Sequence, residues 1–187
     1  MSGTPLPKAR LATAHLWPVV VSMVVLLILE AGLKHWAVQT LSPGTDRKVL
    51  PGLLHLGFTL NTGMAWGLLG SLTLPLGLLR VGVGVGLLWG LLTHRVSRQL
   101  WWPLGLVATG ALGNGLDGLL RGAVVDYLTS PLLDVGSRVL TGRPFPIFNL
   151  SDVLVCAGVF WLAVQTLWQD RKAGHLASAR RDISKES

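Results

Sequence analysis

Four long apolar blocks run along the chain: Leu16 to Leu41, Leu74 to Thr93, Leu100 to Leu120, and Val153 to Trp168. Each approaches the roughly 20 residues a helix needs to cross a hydrocarbon core, so four spans are expected, the last and shortest beginning nearer Leu150. Residues 1–15 and 171–187 are polar, rich in Ser, Ala, Lys and Arg, and read as frayed tails around a domain of residues 16–170. No internal repeat is evident. A single all-α bundle of four transmembrane helices is the economical architecture.

The segments between the spans follow other patterns. In HLGFTLNTGMAWG, Leu56, Phe58 and Leu60 alternate with small or polar residues before the turn chemistry of Asn61, Thr62 and Gly63, which predicts a short strand or hairpin on the membrane surface. The stretch GAVVDYLTSPLLDVGSRVLTGRPFPIFN mixes apolar residues with Pro, Gly and two Asp, as a lid or amphipathic surface element would. Within the second block, GVGVG sets Gly82 and Gly86 four apart on one helix face, either for close helix contact or with no special role. Arg80, near the outer end of that block, can extend its long side chain to water.

Composition strengthens the membrane reading, since half the residues are hydrophobic, 13% are charged and mean hydropathy is +0.55. Charge then orients the spans. Nine of the sixteen Lys and Arg flank one side: Lys8, Arg10, Arg95, Arg98, Arg171, Lys172, Arg180, Arg181 and Lys185. The other side holds Arg47, Lys48, Arg138 and Arg143, offset by Asp46, Asp126 and Asp134. Short cytoplasmic loops collect basic residues, so both termini are expected inside and the two intervening segments outside. Lys8 and Arg10 ahead of LWPVVVSMVVLLIL also resemble a secretory signal, but apolar sequence continues past Glu30 and favours a retained helix.

Several function classes drop out on these grounds. The net charge of +7 is divided among segments flanking the spans, with no continuous basic stripe, which argues against nucleic acid. His15, His35, His55, His94 and His175 are scattered and lack metal-ligand spacing, so no metal or other cofactor is expected. The single Cys156 excludes an intramolecular disulfide and, within the fourth block, is expected to be a buried, inert thiol. Trp17, Trp36, Trp66, Trp101 and Trp102 near span ends read as interfacial anchors.

Ionisable groups beside hydrocarbon cost about 2.5–3.5 kcal/mol at a helix centre on insertion scales, so Glu30, Asp117, Asp126 and Asp152 each need a reason. The topology sets Asp126 just beyond the outer end of the third span and Asp152 at the start of the fourth, both at the outer boundary. Two carboxylates brought close share one proton, one serving as base on water and the other as acid, as peptide hydrolysis without metal requires. Asp152 equally suits a helix N-terminal cap, and Asp126 a solvated loop. A serine and lysine mechanism would pair Lys34 with Ser42, Ser71 or Ser130, but nothing fixes that pairing. A proton-coupled carrier fits poorly in a short chain with acids at one surface.

The strings NTGMAWG (61–67), GNGLDG (113–118), VVDYL (124–128) and FPIFNLSD (145–152), in this order, resemble the signature motifs of the lipoprotein signal peptidases. The resemblance implies a four-helix membrane aspartyl peptidase that cuts prolipoproteins on the N-terminal side of a diacylglyceryl-modified cysteine. It implies Asp126 and Asp152 as the catalytic pair. Asn61 and Asn149 are then expected to orient the pair or the substrate backbone, with Gly63 in the same turn, and Asn114 with Asp117 to brace the site from the third helix. The implied partners are the lipidated substrate and membrane lipid, with a monomer expected. Three positions depart from the family pattern: Gly118 stands where Arg is usual, so the expected positive charge is either missing or supplied by Arg121; Glu30 replaces Asp in an i, i+4 structural pair with Lys34; and Ser151 replaces Ala. The segment from Asp126 to Asp152 is also long. The missing Arg motivates the alternative of a non-catalytic lipid- or lipoprotein-binding protein on the same scaffold.

Overall fold

The computed structural model describes residues 8–63 and 72–183 of the chain. Four long helices carry the fold: α1 (Lys8–Thr40), α2 (Thr73–Leu92), α3 (Trp101–Arg121) and α5 (Leu150–Ile183). A three-stranded antiparallel sheet, ordered β1 (Arg47–Leu50), β2 (Leu54–Asn61), β3 (Val124–Thr129), and the short helix α4 (Pro131–Thr141) occupy the two segments expected outside the bundle. The outer helices start at Lys8 and end at Ile183, so helical backbone extends into both polar end segments.

Three stretches, Leu16–Thr40, Thr73–Leu92 and Leu150–Gln169, are long and apolar enough to cross a membrane. Many of their apolar side chains face outward, including Val24, Val25, Ile28, Leu79, Val83, Phe160 and Leu167. A surface of that kind is at home in lipid, and costly in water. The third expected span, α3, is of similar length but of another kind. It packs against α1, α2 and α5. Shielded by its neighbours, it can carry Gly, Asn114 and Asp117 where a lipid-facing helix would need large apolar residues.

Glycines set the helix separations, and of the two readings of Gly82 and Gly86 the one with no special role holds. Gly82 and Gly86 have nothing within 4 Å of an added Cβ, whereas one at Gly77 would meet Leu119 at 3.0 Å and one at Gly115 would meet the Val81 nitrogen at 2.8 Å. An added Cβ at Gly110 would collide with the Ser151 carbonyl oxygen, so α3 and α5 touch backbone to backbone. Away from the sheet, Leu16, Val19, Met23, Leu91, Trp101 and Ala108 form an apolar core. Trp101 is therefore a core residue and not an interfacial anchor; it donates to the Val96 carbonyl at 3.2 Å. Trp17, Trp36 and Trp102 are exposed, and Trp66 lies outside the described residues.

At the other end, Ala37 of α1 and Leu41 just beyond it pack beneath Val125 and Tyr127 of β3. Strand β2 matches the expected strand pattern, whereas its hairpin partner β1 lies ahead of the segment that carried it. The third strand was not foreseen: VVDYL is buried on four successive residues, without the alternation that marks a half-buried strand. Gly122, at φ +71°, ends α3 in the left-handed conformation that glycine adopts without a Cβ penalty, and the chain doubles back into β3. Phe148 then ties β3 to the start of α5, donating to the Leu128 carbonyl at 2.8 Å and accepting from Leu128 at 2.7 Å. Asp126 and Asp152 are drawn together by this clasp.

Candidate active site

Asp126 sits in β3 with 2% of its surface exposed, so it is not a solvated loop residue. Thr59 of β2 is its register partner, and Asn61 pairs with Val124, two residues away on the same strand face. The Asn61 amide consequently reaches Asp126 and donates to Oδ2 at 3.1 Å. Its oxygen accepts from the Gly63 backbone N–H at 3.0 Å, which fixes the orientation of the amide.

Asp152 occupies the first turn of α5, where Asn149 is the helix cap. The Asn149 Oδ1 accepts from the Asp152 backbone N–H at 3.0 Å, and Asp152 Oδ2 accepts from the Asn149 N–H at 3.1 Å. This reciprocal capping box satisfies two otherwise orphan donors. Asn149 and not Asp152 is thus the cap itself, and Asp152 completes the box from the first turn, beside Asp126. The nitrogen of the same Asn149 side chain donates to Asp126 Oδ1 at 2.6 Å. One fully buried asparagine links both acids.

Behind them lies a buried ionic cluster. Lys34 is 2% exposed and meets Glu30 at 3.3 Å, Asp117 at 3.1 Å and the Asn114 oxygen at 2.8 Å. Asn114 passes this polarisation on, its nitrogen donating to Asp152 Oδ1 at 2.7 Å. With Lys34 saturated in this way, the structure lends nothing to a serine and lysine pairing. Asp117 also accepts from the Val125 backbone N–H at 3.1 Å, bracing the strand next to Asp126, and pairs with the half-exposed Arg121 at 3.0 Å. Glu30 accepts from the Tyr127 hydroxyl at 2.7 Å and from the Ser151 N–H at 3.1 Å, joining α1 to β3 and α5. Burial, then the hydrogen bond and charge of Glu30, push the Tyr127 hydroxyl up, so it stays a protonated donor.

A cavity of about 260 Å³ opens onto both aspartates, lined also by Asn61, Arg80, Asn114 and the Phe145–Phe148 stretch. Burial, followed by the nearby charge of Asp152, raises the Asp126 carboxyl to about 7, against the lowering effect of Asn61, Asn149 and Lys34. A carboxyl so placed can hold a proton near neutral pH while its neighbour is charged. Such a pair can deliver and accept protons on opposite sides of a bound carbonyl.

Two residues stand elsewhere than expected. Arg80 lines the cavity, and its guanidinium donates to the Gly63 carbonyl at 3.3 Å. Its sequence position suggested only a snorkelling side chain; no local signal marked the cavity wall. Cys156, expected to be buried, is exposed and lines the same cavity, because it follows Asp152 by one helical turn on the same face of α5. Gly118 packs against α2, where an added Cβ would lie 3.4 Å from the Gly77 Cα. Residues Met64 to Gly67 of the first motif lie outside the described residues.

The comparisons agree with one another. Residues 22–168 match the family described as Signal peptidase (SPase) II. The chain is 40% identical over 157 residues to the lipoprotein signal peptidase of Deinococcus radiodurans, covering 83% of this chain and 82% of that one. It is 35% identical over 133 residues to the lipoprotein signal peptidase of Nostoc punctiforme, covering 70% and 77%. A bacterial membrane enzyme solved at 2.3 Å shares the fold with a TM-score of 0.70 at 24% identity, over 82% of this chain and 89% of the other.

Proposed function

The chain belongs to the signal peptidase II family, and from that premise we propose that it removes the signal peptide of diacylglyceryl-modified prolipoproteins, using Asp126 and Asp152 to activate water. The cut falls on the N-terminal side of the lipidated cysteine. The observation that carries the mechanism is the shared cavity, with Asn149 bonded to both carboxyls.

Asp152 takes a proton from water as the oxygen attacks the scissile carbonyl, and Asp126 gives its proton to the carbonyl oxygen. In the second half Asp152 passes its acquired proton to the leaving nitrogen while Asp126 recovers one from the diol. The C–N bond breaks and both acids return to their starting state. Asn61 and Asn149 fix the Asp126 carboxyl, and Asn114 fixes Asp152, so little reorganisation is left for the reaction.

An apolar groove of about 400 Å³ beside Asp152, lined by Leu133, Phe145, Phe148, Val153 and Phe160, suits the acyl chains of the substrate. In the bacterial inner membrane, α3 forms the fourth span, shielded from lipid by the others. Both termini lie in the cytoplasm, the sheet and α4 at the outer face with the site, and the enzyme acts as a monomer in contact with membrane lipid.

The test is cleavage of a purified diacylglyceryl-modified prolipoprotein by the reconstituted protein. Asp126→Asn and Asp152→Asn are each expected to slow it at least ~10³-fold while thermal unfolding stays close to that of the unmutated chain. Normal cleavage by either variant would remove that residue from the mechanism.

A further inference from the structure

Arg80 is the sole cation lining the cavity that holds Asp126 and Asp152, and among the described residues it forms no ion pair. Its position follows from helix packing. Gly115 of α3 lets α2 approach so closely that an added Cβ would lie 3.1 Å from the Arg80 Cβ. The guanidinium then reaches the Gly63 carbonyl, in the turn whose N–H orients Asn61 toward Asp126.

The charges around the pair are otherwise matched. Lys34 and Arg121 balance Glu30 and Asp117, through contacts of 3.0–3.3 Å. Tyr127 is a neutral donor to Glu30, and Cys156 borders the cavity from α5. A pair of aspartates sharing one proton leaves a single negative charge, and Arg80 is its counterion within the cavity. Away from bulk water such a charge acts over several ångströms with more force than in solvent. It does not act equally on the two acids. Arg80 and Asp152 also share an apolar groove between α2, α3 and α5, lined by Leu79, Val83, Val107 and Val155, which Asp126 does not enter. Asp152 in addition lies in the first turn of α5, whose amide dipoles favour negative charge.

We infer that Arg80 is a positioning residue of the proteolytic site: from α2 it draws the negative charge of the pair onto Asp152 and anchors the Gly63 turn that aims Asn61. The inference rests on the two-aspartate mechanism above. It also accounts for an active site in a chain whose α3 offers Gly118 and no cation facing the cavity.

The experiment compares Arg80→Gln and Arg80→Lys with the unmutated enzyme and Asp152→Asn, in liposomes, on a fluorescent diacylglyceryl-modified prolipopeptide. Arg80→Gln is expected to lower kcat about 10- to 100-fold with KM changed less than about 3-fold, and to move the acid limb of the kcat–pH profile to higher pH. Arg80→Lys keeps the charge and is expected to recover most of the rate, with unfolding midpoints of both variants near that of the unmutated enzyme. Full activity in Arg80→Gln, an effect confined to KM, or equal loss in Arg80→Lys with a lowered midpoint would each overturn the inference. An unmutated enzyme that fails to cleave would overturn the peptidase mechanism itself. Full activity in Arg80→Gln beside an inactive Asp152→Asn would overturn the role of Arg80 alone.

Discussion

At one end of the bundle Leu16, Val19, Met23, Leu91, Trp101 and Ala108 meet in an apolar core, while at the other the same α1 and α3 turn Glu30, Lys34, Asn114 and Asp117 toward each other. The separation along α1 is short: Met23 and Lys34 are 11 residues apart, about 16 Å of helix. The apolar end is held by shape, and substitutions there act on stability alone. The polar end is held by charges and hydrogen bonds that must all be satisfied together, because each partner removed leaves another stranded in a dry interior. Among the described residues a facing pair of acids is found at that second end, where the acids are oriented by the groups that also hold the helices and sheet together.

The sharpest way to break the comparison is Lys34→Met, which leaves Glu30 without its ion-pair partner and Asp117 with only the half-exposed Arg121. Losing one partner of such a buried cluster is expected to cost about 3–5 kcal/mol, read as a lower unfolding midpoint in detergent together with lost activity. A stability change below about 1 kcal/mol would mean the polar end is not held by charge. Next comes pH. With Asp126 titrating near 7, activity that needs its proton is expected to fall roughly tenfold per pH unit above that value, about a hundredfold by two units higher. The effect on stability has a definite sign. Because the folded carboxyl is raised above its unfolded value of about 3.8, the native state binds more protons between roughly pH 4 and 7. Stability contributed by this proton is fully present below that window and is lost as pH rises through about 7; Asp126→Asn is expected to flatten the slope.

Smaller effects test the packing. Gly110→Ala sets a methyl against the Ser151 carbonyl at the entrance to the polar end, and overpacking of this kind is expected to cost about 1–3 kcal/mol and to impair cleavage by shifting Asp152. Gly86→Ala, with open space around it, is expected to change stability by less than about 1 kcal/mol, in the stabilising direction that helix propensity gives. Equal responses at the two positions would erase the distinction between glycines that set helix separation and those that do not.

Much of this was legible in the chain itself. The apolar blocks marked α1, α2 and α5 to within a few residues at most of their ends, and also α3, although α3 earns its place by burial and not by an apolar surface. Asp126 and Asp152 stood out as acids at the edge of apolar blocks, whereas Asn61, Asn114 and Asn149 were marked only by the resemblance of their motifs to those of the signal peptidases. Strand β3 could not, since a strand buried on both faces loses the alternation that reveals strands. Nor could the role of Arg80, whose neighbours in sequence are apolar and whose partners, Gly63 and Asp152, are 17 and 72 residues away. The glycines that matter were equally hidden: Gly84 and Gly86 look alike in sequence and differ only in which one faces Leu112.

The sequence by itself therefore determined the long helices, the amphipathic segment and the set of acids, because hydropathy and the cost of burying charge act on each residue in isolation. Tertiary structure alone decided that Asn149 would hold both aspartates, that Lys34 would reach Asp152 only through Asn114, and that the cavity's cation would come from α2. Those are relations between elements far apart in the chain, and they exist only once glycine-spaced helices and a clasped strand bring polar atoms within about 3 Å of one another.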